Sequence, residues 1–507
     1  MSARAMRSLR YLAVALALLA GGELFNETRH YGLLGFDTHP LIISSRVESP
    51  ADFAGLFSER LMDGRYPGAM YRPLTSATFA ADYAIWGLEA RGYLATNVLA
   101  FVAIALALVA LGAQLGRKLK GSPGADWLVF ALPTLFLLHP SYYEIVPAPA
   151  RRADLLCCAF TVAAVAASLG GRRFVAALAA GAAIASKESG FAAPLLVVAA
   201  IWLFADRTAG FVTGVTAAIR EATPTISIAV FMLGIRLLVL GDLGGHREDL
   251  SLLGALAASP GIAFDLVFGV ALVPVARNAF SWFALAAGLC LAVVNFWRGA
   301  GSPAELRSLG LGATWIIVLA ITYASAGWVG AWYYMIPAVG FEIVMATILC
   351  STAARAFDTN NAVRVRAVAL GCVLASGFVV IWQGSYAPAF HRYAEWERAS
   401  QVAHDFEAGL AERIEASSPG DIVDAPPLPM WAAPRFGVPG VEGAAILSDY
   451  SVQAWAELRF PDREIRVSGI EGGTLPIDDS GTSLVVGAEV EPRTDIRVRL
   501  SRRLVGY

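Results

Sequence analysis

The chain has 507 residues, 57% of them hydrophobic and 16% charged, a balance that excludes an ordinary soluble globular protein and points to a chain dissolved in lipid. A formal net charge of -2 leaves no basic excess for nucleic acid. The five cysteines, Cys157, Cys158, Cys290, Cys350 and Cys372, sit in apolar stretches as small hydrophobes, and the six histidines lack HxH or HxxxH spacing, so neither residue type supports a metal site.

Spans of about 15 to 22 apolar residues, enough to cross roughly 30 Å of hydrocarbon, predict about eleven transmembrane helices. They run near 11 to 25, 93 to 113, 125 to 139, 153 to 169, 174 to 187, 190 to 205, 222 to 240, 279 to 297, 310 to 326, 333 to 352 and 367 to 384. The first, preceded by MSARAMR, also has the form of a secretory signal, and either reading exports the loop after it. Several spans are Ala/Gly-rich, which suits close helix packing. With the N-terminus in the cytoplasm, the positive-inside rule is met repeatedly. Arg4, Arg7 and Arg10, then Arg117, Lys118 and Lys120, then Arg172 and Arg173, then Arg298 and Arg307, and last Arg355, Arg364 and Arg366 all fall in inner loops. Residues 262 to 276 are also apolar, but a full span there would export the later arginines, so they read as re-entrant or interfacial.

Two segments are extramembrane by composition: a first outer loop at 26 to 92 and a tail at 385 to 507. The expected architecture is an α-helical polytopic membrane domain, residues 1 to 384, followed by a small α+β C-terminal extramembrane domain. The tail opens with a helical pattern, passes the break DAPPLPMWAAP and ends in strand-like runs such as TSLVVGAEV and DIRVRL. No repeats of 20 to 50 residues are present.

The first loop places Asp37, Thr38 and His39 just after the first span. It continues into SPADFAGLFSERLMDG, whose Phe53, Phe57 and Leu61 share a helical face suited to the membrane surface. Other charged groups lie close to hydrocarbon, where such groups face a wet cavity or each other. They are Arg72, whose structural alternative is a pair with Asp82 or Glu89; His139, Glu144, Arg152 and Asp154 at the outer ends of the third and fourth spans; the Lys187–Glu188 dipeptide inside an apolar run; and Arg236 inside the seventh span.

The segment MYRPLTSATFAADYAIWGLEARGYLATN resembles the YRPL, DY, WG and GYxxxN pattern of the GT-C glycosyltransferase superfamily. The similarity is to the membrane portion of the TPR-containing protein O-mannosyltransferases and their bacterial relatives. HPSYYEIVPAPARRADLL, IASKESGFAAPLLV, IRLLVLGDLGG and WYYMIPAVGF resemble further segments of that family in the same order, over roughly residues 31 to 342. The resemblance implies an inverting transfer of a sugar from a polyprenyl-phosphate donor to an acceptor hydroxyl, on a protein, lipid or glycan, at the membrane's outer face, and the Ala/Gly/Arg-rich, cysteine-poor composition suggests a bacterial inner membrane with the first loop and tail periplasmic. It implies that Asp37 is the general base. Tyr71 and Arg72 come from the YRPL match, and His39, His139, Glu144, Arg152, Asp154, Lys187, Glu188 and Arg236 complete the expected substrate-binding set, with the guanidinium groups suited to phosphate. The sequence departs from the family at Thr38, where a second acid is usual, so a divalent metal is not supported. It departs also at Ala148 or Pro149, in place of an aromatic, and at Trp332, in place of an arginine; the tail stands in place of the TPR domain. A lipid-linked sugar transporter or flippase and a non-catalytic membrane scaffold are the alternatives.

Overall fold

A computed structural model describes residues 3–64, 70–139, 142, 145–205, 210–242, 257, 261–262, 302–324, 331–358, 394–426, 428–432, 443–468 and 474–475, with isolated positions between 363 and 377. These residues are mostly helical. In chain order they form α1 (Ala3–Thr28), α2 (Thr38–Ser44), α3 (Pro50–Ser58), α4 (Pro73–Trp86), α5 (Ala90–Lys118), α6 (Leu128–Leu138), α7 (Arg152–Leu169), α8 (Arg173–Ser186) and α9 (Ala192–Phe204). There follow α10 (Phe211–Glu221), α11 (Thr223–Leu240), α12 (Pro303–Ala324) and α13 (Met335–Phe357), then α14 (Ala394–Ala416) and α15 (Asp449–Arg459) in the tail.

Among the described residues six helices are long and apolar enough to cross a membrane: Arg4–Thr28, Ala90–Lys118, Pro149–Leu169, Thr223–Leu240, Pro303–Ala324 and Met335–Phe357. Three shorter apolar helices, Ala125–Leu138, Arg173–Ser186 and Glu188–Phe204, occupy three further expected spans. The 14 residues of α8 and 13 of α9 would each reach only about 20 Å at ~1.5 Å per residue, less than the roughly 30 Å of a bilayer's hydrocarbon core. Lys187 and Glu188 stand where they meet. The expected span at 279 to 297, most of the one at 367 to 384, and all but Ile262 of the re-entrant reading of 262 to 276 lie outside the described residues.

Helix α7 packs against both α5 and α8, α1 lies against α5 and α6, and α12 pairs with α13. Small residues permit the closest of these approaches. A Cβ on Gly340 of α13 would stand 2.7 Å from the carbonyl oxygen of Gly312 of α12, and one on Gly312 would stand 2.5 Å from the Gly340 carbonyl oxygen. With hydrocarbon on the outside, association depends on such close packing rather than on expulsion of water.

In the first loop, α3 begins at a capping box in which Ser49 accepts from the Asp52 N–H and the Asp52 carboxylate accepts from the Ser49 N–H, with Pro50 in the first turn. Backbone N–H groups of Glu48 and Ser49 and the Ser49 hydroxyl hold the Asp52 carboxyl below its usual range. Phe53 and Phe57 stay exposed on α3 as the spacing predicts, but Leu61 is buried, because the chain leaves the helix at Glu59 and turns inward. Leu61 packs instead with Leu41, Ile42, Phe79, Tyr93 and Leu458.

The tail begins with α14 over the stretch expected to be helical. Its short strands make two small sheets: β1 (Ile422–Asp424) parallel to β4 (Arg466–Ser468), and β2 (Trp431–Ala432) between β3 (Ala444–Ala445) and β5 (Thr474–Leu475). The strand-like runs TSLVVGAEV and DIRVRL lie outside the described residues. The described part of the tail shares a core with the first loop, the start of α5 and the second loop, joining Trp396, Phe406, Leu428 and Ile446 to Tyr31, Leu34, Leu94 and Ala148. Backbone bonding reinforces it, with Gly35 N–H donating to the Ile446 carbonyl at 2.9 Å.

Candidate active site

Asp37 occupies the N-cap position of α2 but makes no capping bond. Its Oδ1 instead accepts a 2.7 Å hydrogen bond from the Tyr450 hydroxyl at the start of α15. Burial and the neighbouring Asp37 carboxylate raise the Tyr450 phenol above its ordinary range, so it stays protonated and donates. Thr38, in the place of the family's second acid, is fully buried and structural: its hydroxyl donates to the Leu34 carbonyl at 2.6 Å and accepts from the Ala150 N–H at 3.2 Å. His39 is buried beside Ser451, 3.5 Å from Nδ1, and Glu407, 4.0 Å from Nε2. Desolvation lowers the His39 pKa to about 3 and raises that of Glu407 to about 7. His39 therefore belongs to the joint between loop and tail.

Asp37 opens onto a small cleft of about 50 Å³. Phe36, Arg151, Trp332, Trp396, Trp431 and Tyr450 are among the side chains that line it. The Arg151 guanidinium stacks on Trp332 at 3.8 Å, and Phe36 meets Trp431 edge-on at 4.8 Å.

A second group gathers residues from all five sequence segments that carry the family resemblance. Arg72, just before the α4 proline, donates from Nε and Nη2 to Glu188, the shortest bond being 2.8 Å. Arg236 of α11 reaches the other oxygen of Glu188 at 3.4 Å. Lys187 meets Asp154 of α7 at 2.5 Å and lies 4.8 Å over the Tyr333 ring. Burial alone would lower the Arg72 pKa, but the Glu188 carboxylate outweighs it and keeps the guanidinium charged. Three cations against two carboxylates leave a formal charge of +1 on the five ionic groups.

The two regions are two faces of the same short segments. Arg151 and Trp332 face the cleft, while Asp154 and Tyr333, close to them in sequence, face Lys187. Gly190 makes the Lys187 turn possible, since a Cβ there would lie 2.3 Å from Ala183 backbone atoms.

Arg152, expected to meet phosphate, is instead wholly enclosed. It lies 2.6 Å from Asp82 and donates to Asn97 Oδ1 and the Tyr93 carbonyl, both at 3.0 Å, with the Phe79 ring 4.3 Å away. Desolvation raises the Asp82 pKa, with Arg152 and Thr96 opposing. Asn97 also donates to the carbonyls of Val146 and Ala148, so this knot fastens the second loop to α5. The partner of Arg72 is thus neither Asp82 nor Glu89. Tyr71 is buried and donates to the Phe57 carbonyl at 2.7 Å, bracing α3. His139 is buried at the end of α6, its ring 6.3 Å from that of Phe341. Glu144 lies outside the described residues. Among the described residues no three potential ligands gather into a metal site. Sequence reasoning missed Tyr450, Trp431 and Glu407.

No family model and no curated protein matches the chain. Among solved structures it is similar to the archaeal oligosaccharyltransferase AglB from Archaeoglobus fulgidus in complex with an inhibitory peptide and a dolichol-phosphate. The identity is 13% and the TM-score 0.44, covering 91% of this chain and 64% of that one, so this chain spans less than two thirds of AglB. It is similar also to ArnT from Cupriavidus metallidurans bound to undecaprenyl phosphate, at 16% identity and a TM-score of 0.40, covering 90% of this chain and 89% of that one.

Proposed function

We propose that this chain is a GT-C-type membrane glycosyltransferase that moves a sugar from a polyprenyl-phosphate donor to an acceptor hydroxyl at the membrane's outer face. The observation that carries the reading is the convergence of five separated family-like segments, through Arg72, Asp154, Lys187 with Glu188, Arg236 and Tyr333, on one net-cationic cluster. The donor is a phosphate diester whose departing polyprenyl phosphate, a monoester, takes on a second negative charge, and it needs such a counter-charge, preorganised in a site that largely excludes water. In this reading Asp37 takes the acceptor's proton, the acceptor oxygen bonds to the anomeric carbon, and the carbon–oxygen bond to phosphate breaks with its electron pair leaving on the phosphate. A single displacement inverts the configuration.

The test is purified protein with radiolabelled polyprenyl-phosphate sugars, wild type against Asp37→Asn. The wild type is expected to consume one of them, and the variant to stay folded in the membrane and bind lipid phosphate but transfer nothing. A fully active variant would remove Asp37 from the mechanism. Donor crossing the bilayer intact would favour a flippase, and a wild type that neither consumes nor moves any donor would favour a scaffold.

A further inference from the structure

We propose that the tail builds one wall of the acceptor site, that the Tyr450 hydroxyl holds the place of the acceptor's hydroxyl on Asp37, and that the acceptor is a saccharide entering between the Trp332 and Trp431 rings. The proposal rests on the glycosyltransferase reading above and adds to it the acceptor's chemical class.

A hydroxyl about to lose its proton must first donate a hydrogen bond of roughly 2.6 to 3.2 Å to its base. Tyr450 makes that bond to Asp37, at 2.7 Å. The cleft beside the pair, about 50 Å³, is far below the roughly 300 Å³ at which ligand sites begin. An acceptor hydroxyl that donates to Asp37 Oδ1 must take the place that the Tyr450 hydroxyl now fills. Swinging that side chain out gives up its bond to Asp37, which the incoming hydroxyl replaces, together with its contact to Ser448.

The walls indicate what enters. Phe36, Trp332, Trp396 and Trp431 present aromatic surface, against which the C–H face of a sugar ring packs, while Asp37 and Arg151 supply polar ends for its hydroxyls. Ala148, at or beside the family's aromatic position in the second loop, leaves room for the indole groups that the tail brings from Trp396 and Trp431. A peptide acceptor fits less well. An extended peptide gains affinity by adding to a free strand edge, whereas β2, which carries Trp431, already has β3 on one side and β5 on the other.

The experiment uses the full chain in nanodiscs. Binding of mannotriose, and of a Ser/Thr-containing peptide, is followed by tryptophan fluorescence without donor, and acceptor KM and kcat are measured wherever a donor is consumed. Mannotriose is expected to bind, Tyr450→Phe to bind it several-fold more tightly with a lower acceptor KM, and Trp431→Ala to bind it at least tenfold more weakly. Peptide binding without saccharide binding overturns the acceptor class. A Tyr450→Phe variant that loses kcat at unchanged KM overturns the placeholder role and makes Tyr450 a residue that positions Asp37. If wild type consumes no donor, the function proposed above fails, while the fluorescence arm still decides whether this is a saccharide site.

Discussion

The Arg152 guanidinium lies 2.6 Å from Asp82 with its side chain shielded from solvent and only 7% of the Asp82 side chain exposed. A buried pair of this kind does not favour folding over an apolar pair, but breaking it leaves a charge with no counter-ion in low dielectric. Asp82→Asn is therefore expected to destabilise by about 3 to 5 kcal/mol, whereas the double change Asp82→Leu with Arg152→Met recovers most of that loss. Denaturant unfolding in detergent measures both. A single variant as stable as wild type would mean that Arg152 is not held by Asp82.

Arg72 and Glu188 form a forked contact that a lysine cannot reproduce. If Arg72 carries the donor phosphate, Arg72→Met should weaken undecaprenyl phosphate binding about 10- to 100-fold, the equivalent of one charge-assisted hydrogen bond of roughly 1.5 to 3 kcal/mol. Glu188 keeps Arg236 as a partner at 3.4 Å, so the variant should fold. Glu188→Gln removes a negative charge from the cluster and should strengthen binding. Opposite signs for the two variants in a lipid-binding titration are the expected result; weakening in both would make the contact a brace rather than a phosphate site.

Gly340 and Gly312 set the spacing of α12 and α13. Gly340→Val forces a Cβ to within 2.7 Å of the Gly312 carbonyl oxygen and is expected to cost about 1 to 3 kcal/mol. Gly234→Ala, with nothing within 4 Å of the added Cβ, should hold or raise stability. Melting temperatures of the two variants, compared side by side, check the difference.

Most spans were readable because lipid allows one pattern, an uninterrupted apolar run that satisfies its own backbone. The cationic cluster was readable in part for the same reason: charges at Arg72, Asp154, Lys187, Glu188 and Arg236 stand out against hydrocarbon, and the structure brings those five together. Their pairing was not readable. The sequence offers Asp82 or Glu89 as the partner of Arg72, whereas the turn before Gly190 brings Glu188 to Arg72 and Asp82 pairs with Arg152. The tail's contribution left still less trace. Tyr450 lies 413 positions from Asp37, and its segment carries neither the period of a membrane helix nor a motif, so nothing local in the sequence announces the contact.

The joint between loop and tail should carry a pH signature. His39 has an ordinary value of 6.5 and is lowered to about 3 by burial, so separating loop from tail takes up a proton below pH 6.5 that the docked form refuses. Stability from this group is complete above 6.5 and falls as the pH drops toward 3. Glu407 runs the other way. Its value rises from 4.5 to about 7 by desolvation, with Trp455 and Arg459 opposing, so its contribution is complete below 4.5 and is lost as the pH rises toward 7. Between 4.5 and 6.5 the slopes are equal and opposite, and the melting temperature should be nearly level there and fall below 4.5. His39→Gln should remove the acid limb and leave a protein most stable below 4.5. Glu407→Gln should produce a steady decline below 6.5. If neither substitution reshapes the profile in these directions, the two groups are not desolvated in the docked form.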